Sequence, residues 1–96
     1  MTQRTALVTG GTGGIGSAIV RYLAGQGHRV ATNYRDPGKA EAWRRAMAAA
    51  GIEVCMVPGD VSDPVACEAM IRAIEQQCGP VDILVNNAGI TRDTTF

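Results

Sequence analysis

The chain has 96 residues and a formal net charge of zero, and 46% of its residues are hydrophobic. This length allows one modest core and excludes a large two-domain enzyme, while the composition excludes collagen-like, coiled-coil and disordered chains. Residues 1–48 carry seven basic and two acidic side chains, whereas residues 49–96 carry two basic and seven acidic ones. Because the total is balanced, we expect neither nucleic acid nor a membrane as a partner.

Four short runs rich in apolar or β-branched residues predict strands at residues 5–9, 28–34, 52–57 and 81–86. Between them, apolar residues recur at helical spacing and predict three helices. The expected inward stripe of the first helix is Ile15, Ala18, Ile19, Tyr22 and Leu23. Asp36-Pro37 and Asp63-Pro64 predict the starts of the other two helices, because Asp is a good N-cap and Pro suits the first helical position.

This β-α-β-α-β-α-β order predicts an α/β fold, a Rossmann-type parallel sheet with helices on both faces. In the doubly wound strand order 3-2-1-4, the first and fourth strands are neighbours and their carboxyl ends border the ligand crevice. Those ends carry Thr9-Gly10 and Asn86-Asn87. We therefore expect the functional site at this edge.

The three cysteines argue against both a disulfide framework and a metal site. Cys55, Cys67 and Cys78 form no Cys-x-x-Cys pair and have no histidine nearby. Cys67 and Cys78 lie at helical spacing with apolar neighbours, so we expect them to be small buried side chains. With no visible signal peptide and no apolar run long enough to span a membrane, these features predict a reducing, cytoplasmic setting.

Residues 10–16 contain five glycines between a predicted strand and a predicted helix. Glycine permits a tight turn and close approach of backbone N–H groups to phosphate, and a helix N-terminus favours negative charge. The sequence thus predicts a dinucleotide phosphate site, with candidate residues Gly10, Thr12, Gly13, Gly14, Ile15 and Gly16. The glycines fit G-x-G-x-x-G, G-x-x-G-x-x-G and T-G-x-x-x-G-x-G alike, so by themselves they leave the type of dinucleotide fold open.

A second motif, Asn86-Asn87-Ala88-Gly89, follows the fourth predicted strand. Together with Thr9-Gly10 and Gly14-Ile15-Gly16, it resembles the two hallmark motifs of short-chain dehydrogenases/reductases. In that family a carboxylate after the third strand contacts the adenine, and the second motif lines the nicotinamide-ribose side. The resemblance implies further cofactor contacts at Gly59, Asp60, Val61, Asn87, Ala88, Gly89, Ile90 and Thr91. For Asn86 it favours a bracing role, and for Asp60 a simple turn residue is the alternative.

The end of the second strand normally selects between NAD and NADP, because an acidic residue there binds the 2′-hydroxyl and repels a 2′-phosphate. Here Tyr34 occupies that position and Arg35 follows it. A guanidinium–phosphate bond predicts a preference for NADP(H) of about tenfold to more than a hundredfold. Pairing of Arg35 with Asp36, or a solvated Arg35, is the alternative.

Within the family, residues 1–4, 10–16 and 86–93 resemble NADPH-dependent acetoacetyl-CoA reductases of polyhydroxybutyrate synthesis, and nearly as well 3-oxoacyl-acyl-carrier-protein reductases. The first resemblance implies reduction of acetoacetyl-CoA to (R)-3-hydroxybutanoyl-CoA, a small acyl-CoA substrate. It also implies a homotetramer for the full-length protein and a substrate contact at Asp93, for which a helix cap is the alternative.

The family's catalytic serine, tyrosine and lysine lie C-terminal to the matched motifs. Lys39 is the only lysine of the chain, and neither Tyr22 nor Tyr34 has a lysine four residues later. We therefore predict no catalytic residue within residues 1–96. The expectation is the N-terminal part of a single dinucleotide-binding reductase domain, inactive by itself; the alternative is a stand-alone, non-catalytic NADP(H)-binding module.

Overall fold

A computed structural model of the chain describes residues 3–60 and 62–87. The strands are β1 (Thr5–Val8), β2 (Arg29–Tyr34), β3 (Val54–Pro58) and β4 (Ile83–Val85), and the helices are α1 (Gly14–Gly25), α2 (Pro37–Ala49) and α3 (Pro64–Cys78). The predicted alternation is confirmed, with most strand ends displaced by one or two residues. Asp36 and Asp63 cap α2 and α3 as predicted, since in the first turn the Asp36 carboxylate accepts two backbone N–H hydrogen bonds and the Asp63 carboxylate accepts one.

The strands of this part of the chain form one parallel sheet in the order β3-β2-β1-β4. The central strand β1 pairs on both sides, with Ala6 opposite Val30 of β2 and Ile83 of β4. This is the predicted doubly wound order. It brings the carboxyl ends of β1, β2 and β4 to the same edge.

Helices cover both faces of the sheet, which confirms the predicted fold class. Helix α3 packs on one face through a buried cluster. Helices α1 and α2 contribute to a second cluster on the other face. The first cluster comprises Leu7, Ala31, Val57, Met70, Ile74 and Cys78, and the second comprises Val8, Val20, Val30 and Met47.

The predicted inward stripe of α1 is wrong in part. Ile15, Ala18 and Tyr22 are exposed, whereas Gly16 and Val20 are buried. The physical reason lies at Gly16, where a Cβ atom would collide with the Gly10 carbonyl oxygen and the Gly11 Cα. Because only glycine fits against the preceding turn, that residue faces inward and fixes the rotation of the helix.

The prediction that the cysteines remain unpaired is also wrong. Cys55 of β3 and Cys78 of α3 form a disulfide, with their Cα atoms 6.7 Å apart, and Cys67 is free. The pairing follows from the packing of α3 against β3, which a spacing of 23 residues does not reveal. Cys78 is buried, as expected for it, and Cys67 is half-buried beside the same cluster.

Cys78 is also the focus of contacts at the amino-terminal edge of the sheet. Its carbonyl oxygen accepts hydrogen bonds from Thr5 Oγ1 at 3.1 Å and Arg29 Nη1 at 2.7 Å. The Asp82 carboxylate accepts a bond from Thr5 N at 3.1 Å. A cleft of about 590 Å³ opens here, lined in part by His28, Arg29 and both disulfide cysteines. It lies at the opposite end of the strands from the glycine turn.

Candidate functional site

The glycine turn follows β1, and two side chains of β2 accept hydrogen bonds from its backbone. Gly10 N donates to Asn33 Oδ1 at 2.9 Å, and Gly11 N donates to Thr32 Oγ1 at 2.9 Å. Gly10 adopts a φ of 66°, which favours glycine. Thr32 and Asn33 are both buried. The first two N–H groups of the turn are therefore used internally.

Side chains after β4 brace the turn from its other side. Asn87 is 1% exposed, and its Nδ2 donates to the Gly10 carbonyl oxygen at 3.0 Å. The Asn86 carboxamide oxygen accepts a bond from Thr9 Oγ1 at 3.3 Å. The two motifs of the sequence are thus joined directly, and the cofactor contact expected of Asn87 stays a prediction.

The start of α1 combines a crowded residue and an open one. A Cβ on Gly16 would also lie 2.9 Å from Asn87 Nδ2, so this position has no room for a side chain. A Cβ on Gly14 would meet no atom within 4 Å, and one on Gly13 would meet only the Gly10 carbonyl oxygen at 3.7 Å. Space in front of Gly14 gives an anion access to the unpaired N–H groups of a helix N-terminus.

The end of β2 presents a cation at the same edge. Tyr34 is half-buried, and Arg35 Nη1 lies 3.6 Å from Asp60 Oδ2, with the two side chains 75% and 44% exposed. Asp36 is occupied elsewhere, because its carboxylate accepts bonds from Gly38 N and Lys39 N. The alternative in which Arg35 pairs with Asp36 is therefore not observed. An exposed guanidinium in a weak surface pair is free to exchange partners.

Asp60 is held as a carboxylate by the turn that follows β3. Its Oδ1 accepts bonds from Ser62 Oγ at 2.7 Å and Ser62 N at 2.9 Å. These two bonds, with a smaller contribution from Arg35, lower the pKa of Asp60 below its usual value. Gly59 connects this turn to β2, since its N donates to the Tyr34 carbonyl and its carbonyl accepts from Asn33 Nδ2.

Several predicted contacts lie outside the described residues. These are Val61, Ala88, Gly89, Ile90, Thr91 and Asp93. Within the described ranges, Gly10, Thr12, Gly13, Gly14, Ile15 and Gly16 form one continuous turn and helix start, and Thr12 is half-buried while Ile15 is exposed.

Sequence reasoning missed four residues that support the turn: Ser17, Thr32, Asn33 and Trp43. Thr32 and Asn33 are polar residues near the end of a buried strand, and that position was the available signal. Trp43 Nε1 donates to Ser17 Oγ at 2.8 Å, and Ser17 Oγ donates to the Gly13 carbonyl at 2.6 Å. No sequence pattern indicates the Trp43–Ser17 contact, because it depends on how α2 packs beside α1.

Two types of feature are absent from residues 3–60 and 62–87. No group of three or more His, Cys, Asp or Glu side chains is placed to hold a metal ion. None of the helices described there has the length and apolar character that crossing a membrane requires.

A family model described as short chain dehydrogenase matches residues 4–96. The chain belongs to the short chain dehydrogenase family. Among solved structures, an actinorhodin polyketide ketoreductase variant crystallised with NADPH is similar, with a TM-score of 0.82 and 38% identity. That match covers 88% of this chain and 33% of the ketoreductase chain.

Curated relatives of this chain include nodulation protein G of Azospirillum brasilense, 50% identical over 100% of this chain and 39% of the relative. Acetoacetyl-CoA reductase of Allochromatium vinosum is 48% identical over 97% of this chain and 39% of its own length. A 3-oxoacyl-acyl-carrier-protein reductase of Staphylococcus aureus is 44% identical over 94% of this chain and 37% of its own length. The chain thus spans about two fifths of the length of these relatives.

Proposed function

We propose that this chain is the NADP(H)-binding part of a reductase that converts acetoacetyl-CoA to (R)-3-hydroxybutanoyl-CoA. The observation that carries the proposal is the combination, at one edge of the sheet, of an open helix start at Gly14 and an exposed arginine, Arg35. Arg35 directly follows Tyr34, which stands where an NAD-binding site has an acidic residue.

The residues of this edge fit the three parts of the cofactor. The open N–H groups at the start of α1 suit the diphosphate. Arg35 suits the 2′-phosphate, because a doubly charged phosphate attracts the guanidinium more strongly than the single charge of Asp60 does. Asp60 and Val61 are placed by the proposal at the adenine, and residues 87–91 at the nicotinamide ribose.

Within residues 1–96, the work of the chain is to bind and orient. The nicotinamide, when bound, supplies the hydride that reduces the 3-oxo group of the substrate. Arg35 selects the phosphorylated cofactor, and the buried network below the glycine turn fixes the direction of the N–H groups that hold it. The proposal assigns proton transfer to a serine, tyrosine and lysine outside this segment and assigns a substrate contact to Asp93.

The substrate part of the proposal is supported by a relative named acetoacetyl-CoA reductase at 48% identity. The second candidate is a 3-oxoacyl-acyl-carrier-protein reductase, supported by a relative of that name at 44% identity. Steady-state kinetics of the protein at its natural length with both thioesters separate them. We expect a higher kcat/KM for acetoacetyl-CoA, and a higher value for the carrier-protein thioester contradicts this choice. Gel filtration tests the proposed homotetramer.

Cofactor titrations of the Arg35→Ala variant test the binding part. We expect NADPH affinity to fall by about tenfold to a hundredfold while NADH affinity stays within about twofold, because only the phosphorylated cofactor loses a charge-assisted bond. Arg72→Ala is the matched control, since Arg72 is comparably exposed and pairs with Glu68 on the far helix α3. An unchanged NADPH-to-NADH ratio in Arg35→Ala overturns the assignment.

A further inference from the structure

A chain of two hydrogen bonds links helix α2 to the first peptide of helix α1. Trp43 Nε1 lies 2.8 Å from Ser17 Oγ, which lies 2.6 Å from the Gly13 carbonyl oxygen. An indole N–H can only donate, so the Ser17 oxygen must accept from Trp43 and use its single hydrogen as a donor. The nearer acceptor is Gly13, because the Gly11 carbonyl oxygen lies 3.4 Å away. The direction of the relay is therefore fixed.

The relay acts on a peptide that has little restraint of its own. Gly13 and Gly14 flank this peptide, and neither carries a side chain that would limit its rotation. Gly13 is the N-cap of α1, and its carbonyl also accepts the helical bond from Ser17 N at 2.8 Å. Ser17 thus holds the Gly13 carbonyl with two donors.

Orientation of this carbonyl determines the orientation of the next N–H. The C=O and N–H of a planar trans peptide point in opposite directions. With the Gly13 carbonyl held toward the helix, the Gly14 N–H points away from the helix, at a residue that is exposed. That N–H belongs to the group of donors left unpaired at a helix N-terminus.

We propose that Trp43 and Ser17 are positioning residues for the cofactor: through the Gly13 carbonyl they aim the Gly14 N–H at its diphosphate. This inference rests on the proposed function. It gives α2 a role besides packing, because α2 begins two residues after Arg35, the residue proposed to bind the 2′-phosphate. One helix then connects both anion-binding ends of the site.

The first test compares Trp43→Phe, which removes the indole N–H and keeps an aromatic ring, with Ser17→Ala, in the protein at its natural length. We expect dissociation constants to rise about fivefold to tenfold, the effect of one misdirected hydrogen bond. The rise is equal for NADPH and NADH, because both contain the diphosphate. Ser17→Thr keeps the hydroxyl and retains most of the affinity. The double variant, Trp43→Phe with Ser17→Ala, is expected to bind the cofactor no more weakly than whichever single variant binds it less tightly. Each substitution interrupts the same chain of hydrogen bonds, so their effects do not add.

Met47→Leu is the packing control, since Met47 is buried on the same helix and takes no part in the relay. It is expected to change stability without changing either dissociation constant. Native affinities in Trp43→Phe and Ser17→Ala overturn the inference, and so does an equal loss in Met47→Leu. The proposed function fails on a different result, an unchanged NADPH-to-NADH ratio in Arg35→Ala.

A cofactor-free measurement completes the test. The amide ¹⁵N shift of Gly14 senses hydrogen bonding to the adjoining Gly13 carbonyl. We expect it to move in Trp43→Phe and Ser17→Ala and to stay in place in Ser17→Thr and Met47→Leu. An unmoved Gly14 signal in both relay variants overturns the inference, whatever the cofactor affinities are.

Discussion

The two edges of the sheet are held together in different ways. At the amino edge, a disulfide and two hydrogen bonds converge on Cys78 and join α3 to β1, β2 and β3. At the carboxyl edge, buried side chains of Thr32, Asn33 and Asn87 bond the backbone of the glycine turn. The supports of the carboxyl edge lie beneath its surface and leave the helix start at Gly14 open. A binding edge thus needs a scaffold whose own polar groups are satisfied without using the outward donors.

Breaking the disulfide is expected to affect the amino edge alone and to have the largest effect on stability. Cys55→Ser opens a loop of 23 residues and is expected to lower the free energy of unfolding by about 3 kcal/mol, because the unfolded chain regains freedom. Cofactor affinity below the unfolding temperature is expected to stay the same. Cys67→Ser is the control, since Cys67 is free. Thiol titration of the denatured, unreduced chain should find one thiol among these three cysteines; three thiols contradict the pairing.

The next largest effect on stability is expected from a side chain added at the crowded carboxyl edge. Gly16→Ala forces a methyl group against the Gly10 carbonyl, the Gly11 Cα and Asn87 Nδ2, two of which belong to backbone. We expect a loss of about 2–3 kcal/mol in stability together with weaker cofactor binding. In Gly25→Ala, where the methyl group meets no atom within 4 Å, stability should rise by about 0.5 kcal/mol. Calorimetry measures the stability of Gly16→Ala and of Gly25→Ala. Equal changes in stability in the two variants contradict the packing described at Gly16.

Removing one buried support is expected to have a smaller effect. Thr32→Val keeps the shape of the side chain and leaves Gly11 N without its acceptor and the Val8 carbonyl without the Thr32 donor. A buried donor that loses its partner costs about 1–2 kcal/mol. Chemical denaturation measures this loss. Thr32→Ser retains the hydroxyl and should lower the free energy of unfolding by about 1 kcal/mol or less. A larger loss of stability in Thr32→Ser than in Thr32→Val contradicts the role of the hydroxyl.

The smallest predicted effect concerns the exposed Arg35–Asp60 pair. The pKa of Asp60 is lowered, so its ionised form favours the folded state above the usual value of 3.8, and that contribution is lost as the pH falls below it. Ser62 is the larger cause. In an NMR titration, Ser62→Ala should therefore raise the pKa of Asp60 more than Arg35→Ala does. The reverse order contradicts the hydrogen-bond geometry at Asp60.

The sequence predicted those features that depend on local chemistry. Glycines after an apolar strand, Asp-Pro helix starts and alternating elements are local signals, and the strand order and both caps are confirmed. The expectation for α1 was wrong in its rotation, because the contact of Gly16 with Gly10 outweighs the apolar pattern. Such a contact joins residues on two sides of a turn and has no signature in hydrophobic spacing.

Long-range contacts account for the rest. The disulfide, the Trp43–Ser17 bond and the Arg35–Asp60 pair each join residues more than 20 positions apart. Each depends on packing between elements that the sequence places only approximately. Arg35 itself was predictable from its place at the strand end, but its partner in the absence of a phosphate was not.

The most direct test of the central claim is to map where NADPH binds by amide NMR shifts. The account predicts the largest changes at Gly13, Gly14 and Arg35 of the carboxyl edge, with little change at Arg29 and Gly79 of the amino edge. NADH should reproduce the changes at Gly13 and Gly14 and leave Arg35 nearly unmoved, because it lacks the 2′-phosphate. Changes centred on the amino-edge cleft, or identical shifts of Arg35 with both cofactors, contradict the account.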